Sequence, residues 1–164
     1  MLTAKELIHY VDFEHPNITY INPKYVEYFK ITALRYSRRD PIHYVNFRSK
    51  ILTAFGNDIA LTFNIYEFLS NEYRPSMVVM RFRLCDFFSD HKYDAFKPFY
   101  MKYFNASSCP FPKGEYSVAN VSIPNLRLLS TFPLQKGRMF VSYVRGDERV
   151  LEFYLDVLIK HRFL

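Results

Sequence analysis

The chain has 164 residues, 49% of them hydrophobic and 19% aromatic, with 17 Phe, 14 Tyr and no Trp, which is enough for one domain with a core of its own. No apolar run approaches the length that a membrane-spanning helix needs. The net charge of +6 is scattered: Arg35, Arg38 and Arg39 form one short cluster and Arg81 and Arg83 another, with no basic block of the kind that marks a nucleic-acid-binding tail.

The N-terminal stretch MLTAKELIHYVDFEH is charged throughout and lacks the apolar core of about 7–15 residues found in a signal peptide. Asn17-Ile18-Thr19 is the first of three glycosylation sequons. The others begin at Asn105 and Asn120, and three exceed the roughly one that chance predicts for this composition. Residues 24–37 and 41–55 read as two longer strands, broken apart at Asp40-Pro41.

Alternation is clearest from residue 58 onward. In DIALTFNIYEFL, residues 58–69, Ile59, Leu61, Phe63 and Ile65 share one face, and Ala60, Thr62, Asn64 and Tyr66 the other. In PSMVVMRFRLC, residues 75–85, Val78, Met80, Phe82 and Leu84 oppose Arg81 and Arg83. The linker SNEYRP between these runs predicts an antiparallel pair.

YDAFKPFYMKYF, residues 93–104, breaks the period. Phe96, Phe99, Tyr100, Tyr103 and Phe104 fall at helical offsets, which predicts a short helix with one very aromatic face. The C-terminal end returns to alternation. GRMFVSYVRGDE places Met139, Val141 and Tyr143 on one face, and RVLEFYLDVLIKHR does the same for Leu151, Phe153, Leu155, Val157 and Ile159. Gly146-Asp147 marks the turn between them.

The pattern predicts a mostly β protein with about six to nine antiparallel strands and one inserted aromatic helix. The strands would form either two sheets packed face to face or one cupped sheet, in a single domain over residues 1–164. Cys85 and Cys109 make an even count, which fits either one disulfide or two buried free thiols. No Cys-x-x-Cys is present. The five histidines, His9, His15, His43, His91 and His161, show no metal-ligand spacing, so no metal and no cofactor are expected. Asp86, Asp90 and His91 lie close in sequence but read as a solvated helix start. With no nucleophile elbow and no phosphate-binding glycine loop, an enzyme is not expected. Aromatic strand residues can stack on RNA, but here they alternate onto faces that read as buried, so no nucleic-acid partner is expected.

LCDFF at residues 84–88, the aromatic segment after it, FNASSCPFPKGEY and the strand VANVSIPN together resemble the insect chemosensory-B-like proteins, a large insect family of unknown function. That family is similar in turn to the ganglioside activators and the wider ML-type lipid-recognition proteins, which are β-sandwiches or β-cups. The resemblance spans roughly residues 10–160. Its most specific element is Cys-Pro-x-x-x-Gly-x-Tyr, matched by Cys109, Pro110, Gly114 and Tyr116. The chain departs from the pattern in its N-terminal half, which lacks the further cysteines of many members.

The resemblance implies a Cys85–Cys109 bridge and a secreted, non-enzymatic protein that binds a hydrophobic ligand such as a lipid, a fatty acid derivative or a cuticular hydrocarbon or pheromone, in chemosensation. A membrane receptor would take delivery of the ligand, and no stable membrane insertion is implied. Phe63, Met80, Phe82, Phe96, Phe99, Tyr100, Tyr103 and Phe153 are the candidate pocket-lining residues, and Asn17, Asn105 and Asn120 the candidate glycan acceptors. The competing expectation is an extracellular structural or protein-interaction module with a solid core and no small ligand.

Overall fold

The computed structural model describes residues 6–89, 109–123 and 127–163. Among these, eight strands pair into two antiparallel sheets: β1 (Leu7–Ile21), β2 (Val26–Leu34), β3 (Tyr44–Ile51), β4 (Ile59–Leu69), β5 (Glu72–Arg83), β6 (Gly114–Val121), β7 (Lys136–Arg145) and β8 (Glu148–Phe163). The five-stranded sheet has the order β1-β8-β7-β4-β5 and the three-stranded sheet the order β2-β3-β6. One α-helix, α1 (Leu84–Ser89), follows β5 directly, and a 3₁₀ turn spans Arg127–Thr131.

The alternating faces decide how the sheets stack. Val26, Val45 and Ile51 of the small sheet, and Ile59, Leu61, Val141, Leu151, Phe153 and Leu155 of the large one, join one buried cluster. Phe153 reaches across to Phe29 and Phe47, with ring centroids at 4.9 and 6.5 Å. This is the face-to-face arrangement expected of two sheets that each have one apolar side.

The hairpins follow their turn chemistry. Gly146, at φ +60°, carries the turn that pairs Arg145 with Glu148. The β4–β5 connection is tighter than the linker 70–75 predicts. Strand pairing resumes at Glu72 opposite Leu69, leaving only Ser70 and Asn71, both at positive φ, as the turn. That is the two-residue geometry whose twist suits a hairpin. The strand read as 75–85 in fact runs 72–83, because Leu84 and Cys85 begin α1. Asn57 holds that start: its Oδ1 accepts from the Cys85 and Asp86 amides at 2.9 and 3.2 Å. The aromatic helix expected at 93–104 lies outside the described residues.

Gly137 follows Lys136 in β7 for a steric reason. A Cβ at this position would lie 2.6 Å from the Tyr66 carbonyl oxygen. Cys85 and Cys109 form a disulfide with a Cα–Cα distance of 5.6 Å, so the free-thiol alternative does not hold. The bridge ties the β5–α1 junction to a segment that pairs back on the protein, where Phe55 and Phe111 exchange both backbone hydrogen bonds at 2.8 and 2.9 Å. No helix among the described residues is long and apolar enough to cross a membrane.

Candidate functional site: an apolar cavity between the sheets

The inward faces do not close completely on one another. They leave a partly open cavity of about 260 Å³ between them. Its described lining comes from both sheets and from the disulfide-tied end. The small sheet and its flank supply Val26, Phe29, Phe47, Ser49, Ile51, Phe55, Tyr116 and Val118. The large sheet supplies Leu61, Phe63, Met139, Val141, Tyr143, Leu151, Phe153 and Leu155, and Leu84, Phe87 and Phe111 come from either side of the bridge. The lining is almost wholly hydrocarbon, as in small-molecule sites that take apolar ligands.

Among the described lining residues, three carry a hydroxyl: Ser49, Tyr116 and Tyr143. Tyr116 donates to the Pro112 carbonyl at 2.6 Å and is thereby committed to shaping the segment after Cys109. Burial pushes the Tyr143 phenol up to about 12, so it is protonated at any physiological pH.

Of the candidate pocket residues, the structure brings Phe63 and Phe153 to the cavity wall. Met80 and Phe82 do not line it. Both belong to β5, the edge strand. Phe82 packs behind the wall, 6.0 Å from Phe63 and 4.9 Å from Phe87, and Met80 is the cross-strand neighbour of Phe63. Phe96, Phe99, Tyr100 and Tyr103 lie outside the described residues, as does Asn105. Asn17 and Asn120 are exposed. Asp86 is engaged by Arg83 at 2.8 Å and by Asn57 at 3.0 Å, while Asp90 and His91 lie outside the described residues.

A polar cluster stands apart from the cavity. Asp12, on β1, is 1% exposed. Its carboxylate accepts from the His43 amide at 2.7 Å, interacts with His43 Nδ1 at 2.9 Å and accepts from Lys160 Nζ at 2.7 Å. Burial pushes this carboxyl up, but the hydrogen bonds from Lys160 and His43 outweigh it and hold the group below its ordinary value. Asp12, Glu14 and His43 lie close enough to share a metal ion, yet the Lys160 ammonium already supplies the positive charge that Asp12 requires. Asp156, the second buried acid, accepts from Arg138 Nε at 2.7 Å and meets His15 Nδ1 at 3.0 Å. The arrangement is that of paired structural ions. Sequence spacing concealed both clusters, whose members are up to 148 residues apart.

Residues 59–144 match a family described as a protein of unknown function (DUF1091). The chain belongs to this family. The stretch matched by DUF1091 runs from β4 through β7 and contains the Cys85–Cys109 bridge, Tyr116 and the Met139-Val141-Tyr143 face. The rest of the cavity wall, from Val26 to Phe55 and from Leu151 to Leu155, lies outside it. No curated protein matches the chain.

Proposed function

We propose that this DUF1091 protein is a secreted, non-enzymatic binder of a small hydrophobic molecule, held in the cavity between its two sheets. The observation that carries this reading is the cavity: about 260 Å³ of space with an almost wholly apolar wall built by both sheets. Two packed antiparallel sheets around such a space are also what the similarity to the chemosensory-B-like and ML-type lipid-recognition proteins implies. Burial of an alkyl chain supplies the affinity, about 0.8 kcal/mol for each CH₂ removed from water, and cavity shape supplies the selection. Secretion is supported by the disulfide and by the exposed sequon residues Asn17 and Asn120. Chemosensory delivery of a lipid, a fatty acid derivative or a cuticular hydrocarbon to a membrane receptor is the role this chemistry suits.

Native mass spectrometry tests the reading, on protein secreted from insect cells behind an added signal peptide, before and after organic extraction. The expected result is a discrete adduct in the lipid or hydrocarbon range that extraction removes and added lipid restores. Protein that carries no adduct and takes up no lipid overturns it. The second reading would then apply, an extracellular protein-interaction module. The observation that favours that alternative is the edge strand β5, where Met77 is fully exposed and Val79 is 46% exposed.

A further inference from the structure

Within a wall this apolar, the large polar side chain of Tyr143 stands out. Seven of the lining residues are Phe: Phe29, Phe47, Phe55, Phe63, Phe87, Phe111 and Phe153. Phenylalanine at position 143 would fill the same space as the tyrosine. Among the described residues the tyrosine hydroxyl has no hydrogen-bond partner, although buried polar groups almost always have one. No fully buried side-chain polar atom among the described residues lacks a partner, so the Tyr143 hydroxyl keeps some accessible surface. Tyr143 is partly buried and lines the cavity, the space onto which its side chain opens. An unpartnered donor facing an apolar space destabilises the empty protein, and the protein retains it.

We propose that the Tyr143 hydroxyl is the hydrogen-bond donor that fixes the ligand's single polar group, so that the cavity takes a neutral aliphatic chain with one carbonyl, ester or ether oxygen in preference to a plain hydrocarbon. This rests on the hydrophobic-ligand reading above and narrows it. Size follows from volume. An apolar cavity of about 150 Å³ holds benzene, so 260 Å³ corresponds to about ten non-hydrogen atoms. Charge follows from the wall, where none of the described lining residues is a Lys, Arg or His. An ionised carboxylate would meet no counter-charge among these described residues and would keep its desolvation cost. Among the described lining residues, Ser49 is the other uncommitted hydroxyl, and it lies on the opposite sheet.

The test uses the full chain with its bridge intact and three probes of about ten non-hydrogen atoms: decane, 2-nonanone and nonanoate. Each competes with a fluorescent naphthylamine dye on the wild type, Tyr143→Phe and Ser49→Ala. The expected result is that Tyr143→Phe weakens 2-nonanone by about five- to tenfold, leaves decane unchanged and does not lower the melting temperature. If decane and 2-nonanone both bind the wild type and Tyr143→Phe changes neither, or both equally, the assignment of Tyr143 fails while the hydrophobic-ligand reading stands. Loss of the ketone preference in Ser49→Ala alone, or tightest binding by nonanoate, also overturns it. If none of the three binds, the hydrophobic-ligand reading itself fails.

Discussion

Asp12 shows how a single residue couples the two sheets to pH. It lies on β1 of the large sheet, and its carboxylate is held by Lys160 from β8 and by His43 at the entry to β3 of the small sheet. Because its native titration point is lowered, its contribution to stability is fully present above the unfolded value of about 3.9 and is lost as pH falls through the native value. Asp12→Asn leaves the part-exposed Lys160 without its anion and is expected to cost about 1–2 kcal/mol at pH 7. That difference should shrink steadily below about pH 4, where the wild-type carboxyl takes up its own proton. Urea denaturation of both proteins at pH 3, 5 and 7 measures it, and a pH-independent difference would contradict the ionic role. Nothing in the sequence near Asp12 announced it, since its partners lie 31 and 148 residues away. Tyr143 was half legible. Alternation put it on an inward face with Met139 and Val141, but a repeat of two does not tell a filled interior from one with a space in it.

At the scale of elements, legibility followed the regularity of burial. The β4–β5 and β7–β8 hairpins each bury one face against the core, and their alternation and turn residues marked them. β1 escaped because Tyr10, Val11, Asp12 and Phe13 are buried in succession, which erases the period. Pro16 and a register shift between Glu14 and Asn17 then interrupt the strand. The β4–β5 turn can be improved. Ser70 and Asn71 adopt φ of 51° and 63°, so replacing the pair with Asn-Gly should raise stability by about 0.5–1 kcal/mol, readable as a higher melting temperature. The disulfide acts at the opposite end of β5, just beyond Arg83. Cys85→Ser with Cys109→Ser opens a loop of 24 residues' separation and should lower stability by about 3 kcal/mol. Reductant should then have no further effect on that variant in a urea titration, while it weakens the wild type.

For the molecule as a whole, occupancy of the cavity and stability are linked. A ligand that binds only the folded protein adds about 2.7 kcal/mol at a hundred times its dissociation constant. In a chain of this length that raises the melting temperature by about 5–10 °C, and a scan with and without ligand reads it directly. Antiparallel sheets with one buried face were predictable from composition and alternation, while the choice between two packed sheets and one cupped sheet was left open. Which strands share a sheet was not predictable, because that depends on pairings between distant parts of the chain. The pairing of β1 with β8 is the extreme case, with Glu14 opposite Asp156. A ribosome delivers β1 well before β8, at roughly 5–20 residues per second. The buried side chains of β1 therefore wait about seven to thirty seconds for their neighbour. Through that interval the nascent chain offers an unmated apolar strand to whatever chaperone attends it, and Asn17, within the same strand, remains open to a glycosylating enzyme.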